Sequence, residues 1–156
     1  MAETPAPGTP APAITLLDQH GDEVDVAALS GRRVLIYFYP KADTPGCTTQ
    51  SCGLRDVADD VGDTMIIGIS PDPPAKLARF DDKHGLSFTL LSDPDHEVAE
   101  RYGVWAEKSM YGRRYMGIVR SAFLIDSDGT IAEAWPKISP KDTPTKLVKA
   151  LADLDV

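Results

Sequence analysis

Apolar residues along this chain follow two rhythms, and the switching between them predicts the architecture. Val34 to Tyr39 is an unbroken apolar run, and Met65-Ile66-Ile67-Gly68-Ile69 is another inside a strand over Thr64 to Ser70. Runs without polar alternation are expected of strands covered on both faces. Between them Leu54, Val57, Ala58 and Val61 recur at helical spacing, with Asp56, Asp59 and Asp60 on the wet side. That pattern predicts a helix from about Cys47 to Val61, ended by Gly62-Asp63. The same reading gives helices over Ala75 to His84, with Leu77 and Phe80 inward and Gly85 as the stop, and over His96 to Tyr102. A last helix over Thr145 to Leu154 carries Leu147, Leu151 and Leu154 on one stripe.

Shorter apolar or alternating segments supply further strands. Ile14 to Leu17 and Glu23 to Val26 flank the turn residues Asp18-Gln19-His20-Gly21-Asp22 and predict a β-hairpin, followed by one helical turn over Ala27 to Ser30. Phe88 to Leu91 is a strand, with Ser92-Asp93-Pro94-Asp95 capping the helix after it. Arg120 to Ile125 and Thr130 to Trp135 flank Asp126-Ser127-Asp128-Gly129 and predict an antiparallel pair. Residues 104–119 show no clean period and read as a long connection rich in aromatics. Trp105, Tyr111 and Met116 within it are expected in the core, with the mouth of a pocket as the alternative. Residues 1–12, proline-rich, read as an irregular tail of what is otherwise one domain spanning 1–156. Strand–helix–strand repeated, then a hairpin and a terminal helix, predicts an α/β fold with a mixed sheet and helices on both faces.

Composition narrows the function. The chain has 156 residues, 42% of them hydrophobic, and a formal charge of −8. An acidic chain whose densest basic cluster is Arg113-Arg114 lacks the concentrated cations a nucleic-acid groove needs. No stretch approaches the length of a membrane span, and the N-terminus has neither the basic region nor the apolar core of a signal peptide. A cytoplasmic protein without a membrane partner is expected. No glycine-rich dinucleotide fingerprint or phosphate loop occurs, so no nucleotide cofactor is expected.

Both cysteines, Cys47 and Cys52, lie just after the strand Val34 to Tyr39. Open α/β sheets place reacting groups at this point, between the carboxyl end of a strand and the start of a helix. Unpaired N–H groups at a helix start favour anions, the setting in which thiols react as thiolates. In a reducing compartment such cysteines are buried and inert, metal-bound or redox-active. Metal is the weakest of these, because His20, His84 and His96 are scattered and there is no second short-spaced pair. Positions 47 and 52 in an intact helix stand about 7.5 Å apart along the axis on different faces. A disulfide requires Cα atoms about 4.4–6.8 Å apart, so pairing requires unwinding. Thr44 lies one helical turn before Cys47, and Pro40 fixes the chain as it leaves the strand. Arg120 is the candidate cation, because burying it at the start of an apolar strand requires an anionic partner; taken alone, its pattern favours the alternative, a surface arginine.

The run Phe38-Tyr39-Pro40-Lys41-Ala42-Asp43-Thr44-Pro45-Gly46-Cys47-Thr48-Thr49-Gln50-Ser51-Cys52 resembles the active-site segment of the peroxiredoxins. It is most similar to their bacterioferritin comigratory protein, or peroxiredoxin Q, branch. Gly68-Ile69-Ser70, Tyr102-Gly103-Val104-Trp105 and Arg120-Ser121-Ala122-Phe123-Leu124-Ile125-Asp126 follow in the order that branch shows. The resemblance implies a thioredoxin-like fold with an N-terminal β-hairpin extension and a thiol-dependent peroxidase. Cys47 would attack hydrogen peroxide or an organic hydroperoxide and become a sulfenic acid, and Cys52 would resolve it as an intrachain disulfide. Pro40 would shape the pocket, Thr44 would bond thiolate and peroxide, and Arg120 would hold the sulfur anionic. Gln50, where many relatives carry glutamate, would orient Arg120 through its amide oxygen. The resemblance further implies reduction by thioredoxin or a similar dithiol protein, no cofactor or metal, and a monomer, with a weak dimer as the alternative. Two other classes share these residues: a thiol–disulfide oxidoreductase, disfavoured by the cysteine spacing, and a redox-switched binding or holdase protein without turnover.

Overall fold

The structure, a computed structural model, describes residues 4–29 and 31–154. Its organising strand is β3 (Val34–Phe38), every residue of which is buried. On one side β3 pairs in parallel with β4 (Met65–Ser70), and on the other antiparallel with β8 (Ser121–Ile125). Outward from β4 come β5 (Thr89–Ser92) and the hairpin of β1 (Thr15–Asp18) and β2 (Glu23–Asp25). Outward from β8 comes β9 (Ile131–Trp135), giving the order β2-β1-β5-β4-β3-β8-β9. The predicted N-terminal hairpin is thus present, and its first strand continues the main sheet antiparallel to β5.

Alternate side chains of β3 feed two cores, as a strand covered on both faces requires. Leu35, Tyr37 and Tyr39 pack with Leu54 of α1 (Pro45–Asp56), Leu77 and Phe80 of α2 (Pro74–His84), and Leu147 and Leu151 of α4 (Thr143–Leu154). Val34, Ile36 and Phe38 face Val98 and Ala99 of α3 (Glu97–Arg101), Tyr102, and Phe123 of β8. Asp93 caps α3, its carboxylate accepting the N–H groups of Val98 and Ala99. Proline opens α1 and α2, and Gly85 ends α2 in the left-handed region at φ 57°.

The structure corrects several expectations. The helix predicted to reach Val61 ends at Asp56, and a 3₁₀ turn over Ala58–Asp60 follows. Val61 is buried but Ala58 is exposed, because the tighter turn rotates it off the apolar stripe. Leu154, assigned to the buried stripe of α4, is exposed at the helix end. The turn expected over Ala27 to Ser30 is a 3₁₀ turn over Val26–Leu29, with Ser30 outside the described residues. Within the N-terminal segment, Gly8 and Ala11 donate N–H groups to Ile131 and Gly129, and Pro10 forms a bridge with Thr130. That segment is irregular yet fastened along β9.

The largest correction concerns residues 104–119, which form an antiparallel hairpin of β6 (Trp105–Met110) and β7 (Arg113–Ile118) rather than a connection. Tyr111 and Gly112 turn it with φ of 53° and 76°, both in the left-handed region, the form two-residue hairpin loops favour. Tyr111 is 99% exposed and Met116 48%, so neither is core. Trp105 is half-buried and stacks on His96, ring centroids 3.9 Å apart. A ribbon that buries little carries no hydrophobic alternation, which is why its period was invisible in sequence.

Candidate active site

The chain leaves β3 at Tyr39 and turns through Pro40 to Thr44 before α1. Asp72, buried at the end of β4, anchors this loop, one carboxylate oxygen accepting the N–H of Ala42 and the hydroxyl of Ser70, each at 2.7 Å. Asp43 adopts a left-handed φ of 61° and holds Lys83 and His84 of α2 at 2.9 and 3.1 Å. These bonds keep its carboxyl below the usual range, Lys83 contributing most. His84 therefore serves the loop, and the sulfur has no histidine partner among the described residues. Thr44 stands at the N-cap with extended backbone, and its carbonyl accepts the N–H of Thr48 at 2.8 Å. Its hydroxyl proton goes to the Lys41 carbonyl at 2.7 Å, leaving oxygen lone pairs as acceptors. The sequence reading gave this hydroxyl to the sulfur; in this state its proton is already committed.

Cys47 lies in the first turn of α1 with no exposed surface, and Pro40, Thr44, Gly46 and Arg120 are each half-buried. Arg120, between β7 and β8, reaches across the sheet end and donates from Nη2 to Cys47 Sγ at 3.4 Å. Its Nη1 donates to Gln50 Oε1 at 2.7 Å. Gln50 Nε2 in turn donates to Thr143 Oγ1 at 3.0 Å, and that hydroxyl donates to the Ser139 carbonyl at 2.9 Å. The amide orientation is thereby set: both ends of Gln50 are used, and the guanidinium meets its oxygen. Gly46 leaves room for this, since a Cβ there would stand 3.1 Å from Arg120 Nη2.

Cys52 is free and half-buried five positions along the same helix. Between the two cysteines, Ser51 points into the core and shares a 2.8 Å hydrogen bond with the Tyr37 hydroxyl. Complete burial pushes the Tyr37 phenol far above its ordinary range, so it stays neutral. Gly68 makes space for the ring, because a Cβ at that position would stand 2.7 Å from Tyr37 Cζ. Among the described residues no three His, Cys, Asp or Glu side chains gather closely enough to hold a metal ion.

Sequence reasoning thus singled out Cys47, Cys52, Pro40, Thr44, Gln50 and Arg120; the structure joins Cys47, Gln50 and Arg120 by hydrogen bonds, sets Pro40 and Thr44 on the loop leading into α1, and carries Cys52 farther along that helix. It missed Thr143, Ser51 and Tyr37, whose importance lies in partners distant along the chain. It also missed Lys108 of β6, whose ammonium donates to the Ile118 carbonyl and interacts electrostatically with Arg120 and Cys47. A lysine in a segment without readable period offers no signal of that kind.

Comparison with known proteins agrees with this geometry. The AhpC/TSA family profile matches residues 7–134. A putative peroxiredoxin Bcp of Haemophilus influenzae is 53% identical over 149 residues, covering 94% of this chain and 96% of that protein. Peroxiredoxin Bcp of Escherichia coli is 55% identical over 126 residues, covering 80% of this chain and 81% of that protein. Among solved structures, a cysteine-to-serine mutant of Xanthomonas campestris peroxiredoxin Q superposes with a TM-score of 0.85 at 32% identity, covering 90% of this chain and 91% of its own. The X. campestris bacterioferritin comigratory protein gives a TM-score of 0.88 at 30% identity, covering 97% of this chain and 100% of its own. The sheet with helices on both faces is thus a thioredoxin-like fold. With a buried cysteine held under an arginine at the start of α1, and with these relatives matched along most of its length, the chain belongs to the AhpC/TSA family, in its Bcp/peroxiredoxin Q branch.

Proposed function

We propose that this thiol peroxidase runs a two-cysteine cycle in which Cys47 attacks and Cys52 resolves. The Cys47 thiolate attacks the terminal oxygen of a hydroperoxide: the S–O bond forms as the O–O bond breaks, and the departing alkoxide or hydroxide is protonated. Sulfur gives up two electrons and becomes a sulfenic acid. The single observation that carries the reading is the Arg120 guanidinium, divided between Cys47 Sγ and Gln50 Oε1. A hydrogen bond involving a charged group contributes about 1.5–3 kcal/mol. Spent on the anionic sulfur and on the charge growing along the O–O bond, this is electrostatic catalysis in a site that excludes water. Gln50 fixes the guanidinium without adding charge of its own. Thr44 presents oxygen lone pairs that accept from the peroxide O–H, and Pro40 limits the width of the approach.

Resolution follows by attack of Cys52 on the sulfenic sulfur, forming the S–S bond and releasing water. The helix keeps the two residues about 7.5 Å apart along its axis, so α1 unwinds first. A thioredoxin-type dithiol protein then reduces the bridge by exchange. The related X. campestris protein, described for its alkyl peroxide reduction activity, supports an organic hydroperoxide as one substrate.

The test is stopped-flow oxidation of the reduced protein by hydrogen peroxide and by cumene hydroperoxide, with mass analysis of the product. Cys47→Ser is expected to abolish consumption. Cys52→Ser is expected to keep the first step, to stall as the sulfenic acid, and to lose turnover with the dithiol donor. Normal peroxide consumption by Cys47→Ser would overturn the proposal. Insulin reduction outpacing peroxide removal would point to a thiol–disulfide oxidoreductase instead.

A further inference from the structure

Most of the β6–β7 ribbon contributes to neither core, yet it carries much of the exposed apolar surface. Six large apolar side chains are exposed among the described residues, and four of them, Met110, Tyr111, Tyr115 and Met116, lie between positions 110 and 116. Two strands alone are marginal in water, and this pair is held at its base, where Trp105 and buried Ile118 join the core that contains α3. The strand register divides the ribbon into two faces. Glu107 and Arg114 share the face of Trp105 and Ile118, where they close an ion pair at 3.5 Å. Lys108, Met110, Arg113, Tyr115 and Gly117 share the opposite face, on the side of the sheet that holds Cys47 and α1. Gly117 keeps that face flat: a Cβ there would stand 3.0 Å from Lys108 Cδ and 3.3 Å from Tyr115 Cε2. Two residues beyond the end of β7 comes Arg120, whose Nη2 is 3.4 Å from Cys47 Sγ, so the chain itself joins the ribbon to the site. The charge of the ribbon is the reverse of the molecule's. Lys108, Arg113 and Arg114 stand there against Glu107 alone, in a chain of net charge −8. Arg114 pairs with Glu107, whereas Arg113 is exposed and makes no ion pair among the described residues. Tyrosine, methionine and arginine exposed together are the composition of protein interfaces.

We propose that the face of the ribbon carrying Met110, Arg113 and Tyr115 is the docking surface for the dithiol reductant, an acidic protein whose dithiol is bordered by apolar side chains. The inference rests on the two-cysteine cycle proposed above, which requires a second protein to reach the Cys47–Cys52 bridge. An acidic chain repels an acidic partner except where cations gather, so the patch steers that partner to the site. Arg113 offers its guanidinium to the partner's carboxylates, while Met110 and Tyr115 offer a surface that its apolar rim can dry. Once docked, a thiolate of the reductant attacks one sulfur of the bridge, forming a mixed disulfide and releasing the other cysteine. The reductant's second thiol then closes its own disulfide and frees the remaining cysteine. Two electrons and two protons pass from the reductant to Cys47 and Cys52.

Two reductants of different size test the idea on the full-length protein. The bridge is formed with one equivalent of peroxide, and its reduction by an acidic thioredoxin or by dithiothreitol is followed in stopped flow. Wild type is compared with Met110→Ser and Arg113→Glu, which change two residues paired across the hairpin. Met110→Ser is expected to slow reduction by thioredoxin about tenfold at every salt concentration, the loss typical of an interface anchor. Arg113→Glu is expected to slow it about tenfold at low salt and to converge on wild type as salt screens the charge. Both variants should keep the wild-type rate with dithiothreitol, which needs no docking surface, and the wild-type peroxide step. An unchanged thioredoxin rate in either variant, or an equal loss with dithiothreitol, would overturn the proposal. So would a wild-type dimer that Met110→Ser separates without slowing thioredoxin, since the face would then be covered by a second copy of this chain. Absence of a 47–52 bridge after peroxide, or a bridge that dithiothreitol reduces and thioredoxin does not, would instead overturn the cycle beneath it.

Discussion

Removing one oxygen atom from Tyr37 should speed the formation of the Cys47–Cys52 bridge. Ser51 lies between the cysteines, so α1 cannot unwind without pulling Ser51 from the Tyr37 hydroxyl, 2.8 Å away. Tyr37 sits in β3 with no exposed surface. Once Ser51 leaves, the phenol stays behind with its O–H unpaired in an apolar core. Leaving such a group unsatisfied costs about 1–3 kcal/mol. Tyr37→Phe removes that cost from the unwound state, while in the wound state Ser51 turns to the carbonyl one helical turn back, as helix serines do. Unwinding becomes easier by up to about 1–3 kcal/mol, or about five- to 160-fold in the rate of a step that requires it. The assay is a two-phase stopped-flow trace after one equivalent of peroxide. The first phase, sulfenic acid formation, is expected to be unchanged; the second, disulfide formation, is expected to accelerate. Over-oxidation to sulfinic acid, read by mass analysis at high peroxide, should fall in parallel. An unchanged or slower second phase would show that Ser51 and Tyr37 do not latch the helix.

Gly68→Ala forces a Cβ to within 2.7 Å of the Tyr37 ring and hydroxyl. It is expected to cost about 1–3 kcal/mol in urea unfolding and to speed disulfide formation as the ring is pushed off Ser51. Thr143→Val removes the acceptor of the Gln50 amide, leaving a buried N–H unpaired. It should cost about 1–3 kcal/mol of stability and slow the peroxide step, because Gln50 is then free to turn its oxygen away from Arg120. For Asp93, burial raises the carboxyl pKa against the lowering effect of the Ala99 and Val98 N–H groups, so the folded state holds the proton more tightly than the unfolded chain. That contribution to stability is complete below about pH 3.9 and is lost as pH rises through the folded value. Asp93→Asn cannot ionise and should gain on the wild type across that interval, checked by urea midpoints from acid to neutral pH; a pH-independent difference would refute the sign.

The alternation of buried strand and amphipathic helix was legible because each element has a core face. Val34 to Tyr39, the helix carrying Leu77 and Phe80, and the pair flanking Asp126 to Gly129 all stand where their hydrophobic periods place them. Where an element buries little, the period vanishes. The ribbon of β6 and β7 keeps Tyr111 and Met116 in solvent, so nothing in its residues distinguishes a hairpin from a loop. The end of α1 was misjudged because a 3₁₀ turn continues the helical spacing while rotating Ala58 outward.

At the site, residues near one another in sequence already announced a chemistry. A thiol at the start of a helix, with threonine and proline before it and a second thiol too distant to pair, follows from spacing and helical geometry alone. The folded chain decided what that thiol meets. Arg120 touches Cys47 because β8 lies antiparallel beside β3, so that its first residue, Ser121, pairs with Phe38 at the strand end that leads into α1. Gln50 is turned by Thr143 because α4 packs against α1, and Tyr37 reaches Ser51 because β3 runs beneath that helix. Local periodicity reports which face of an element is dry. Which partner fills that face is set by sheet order and helix packing across many tens of residues, and no local pattern encodes it.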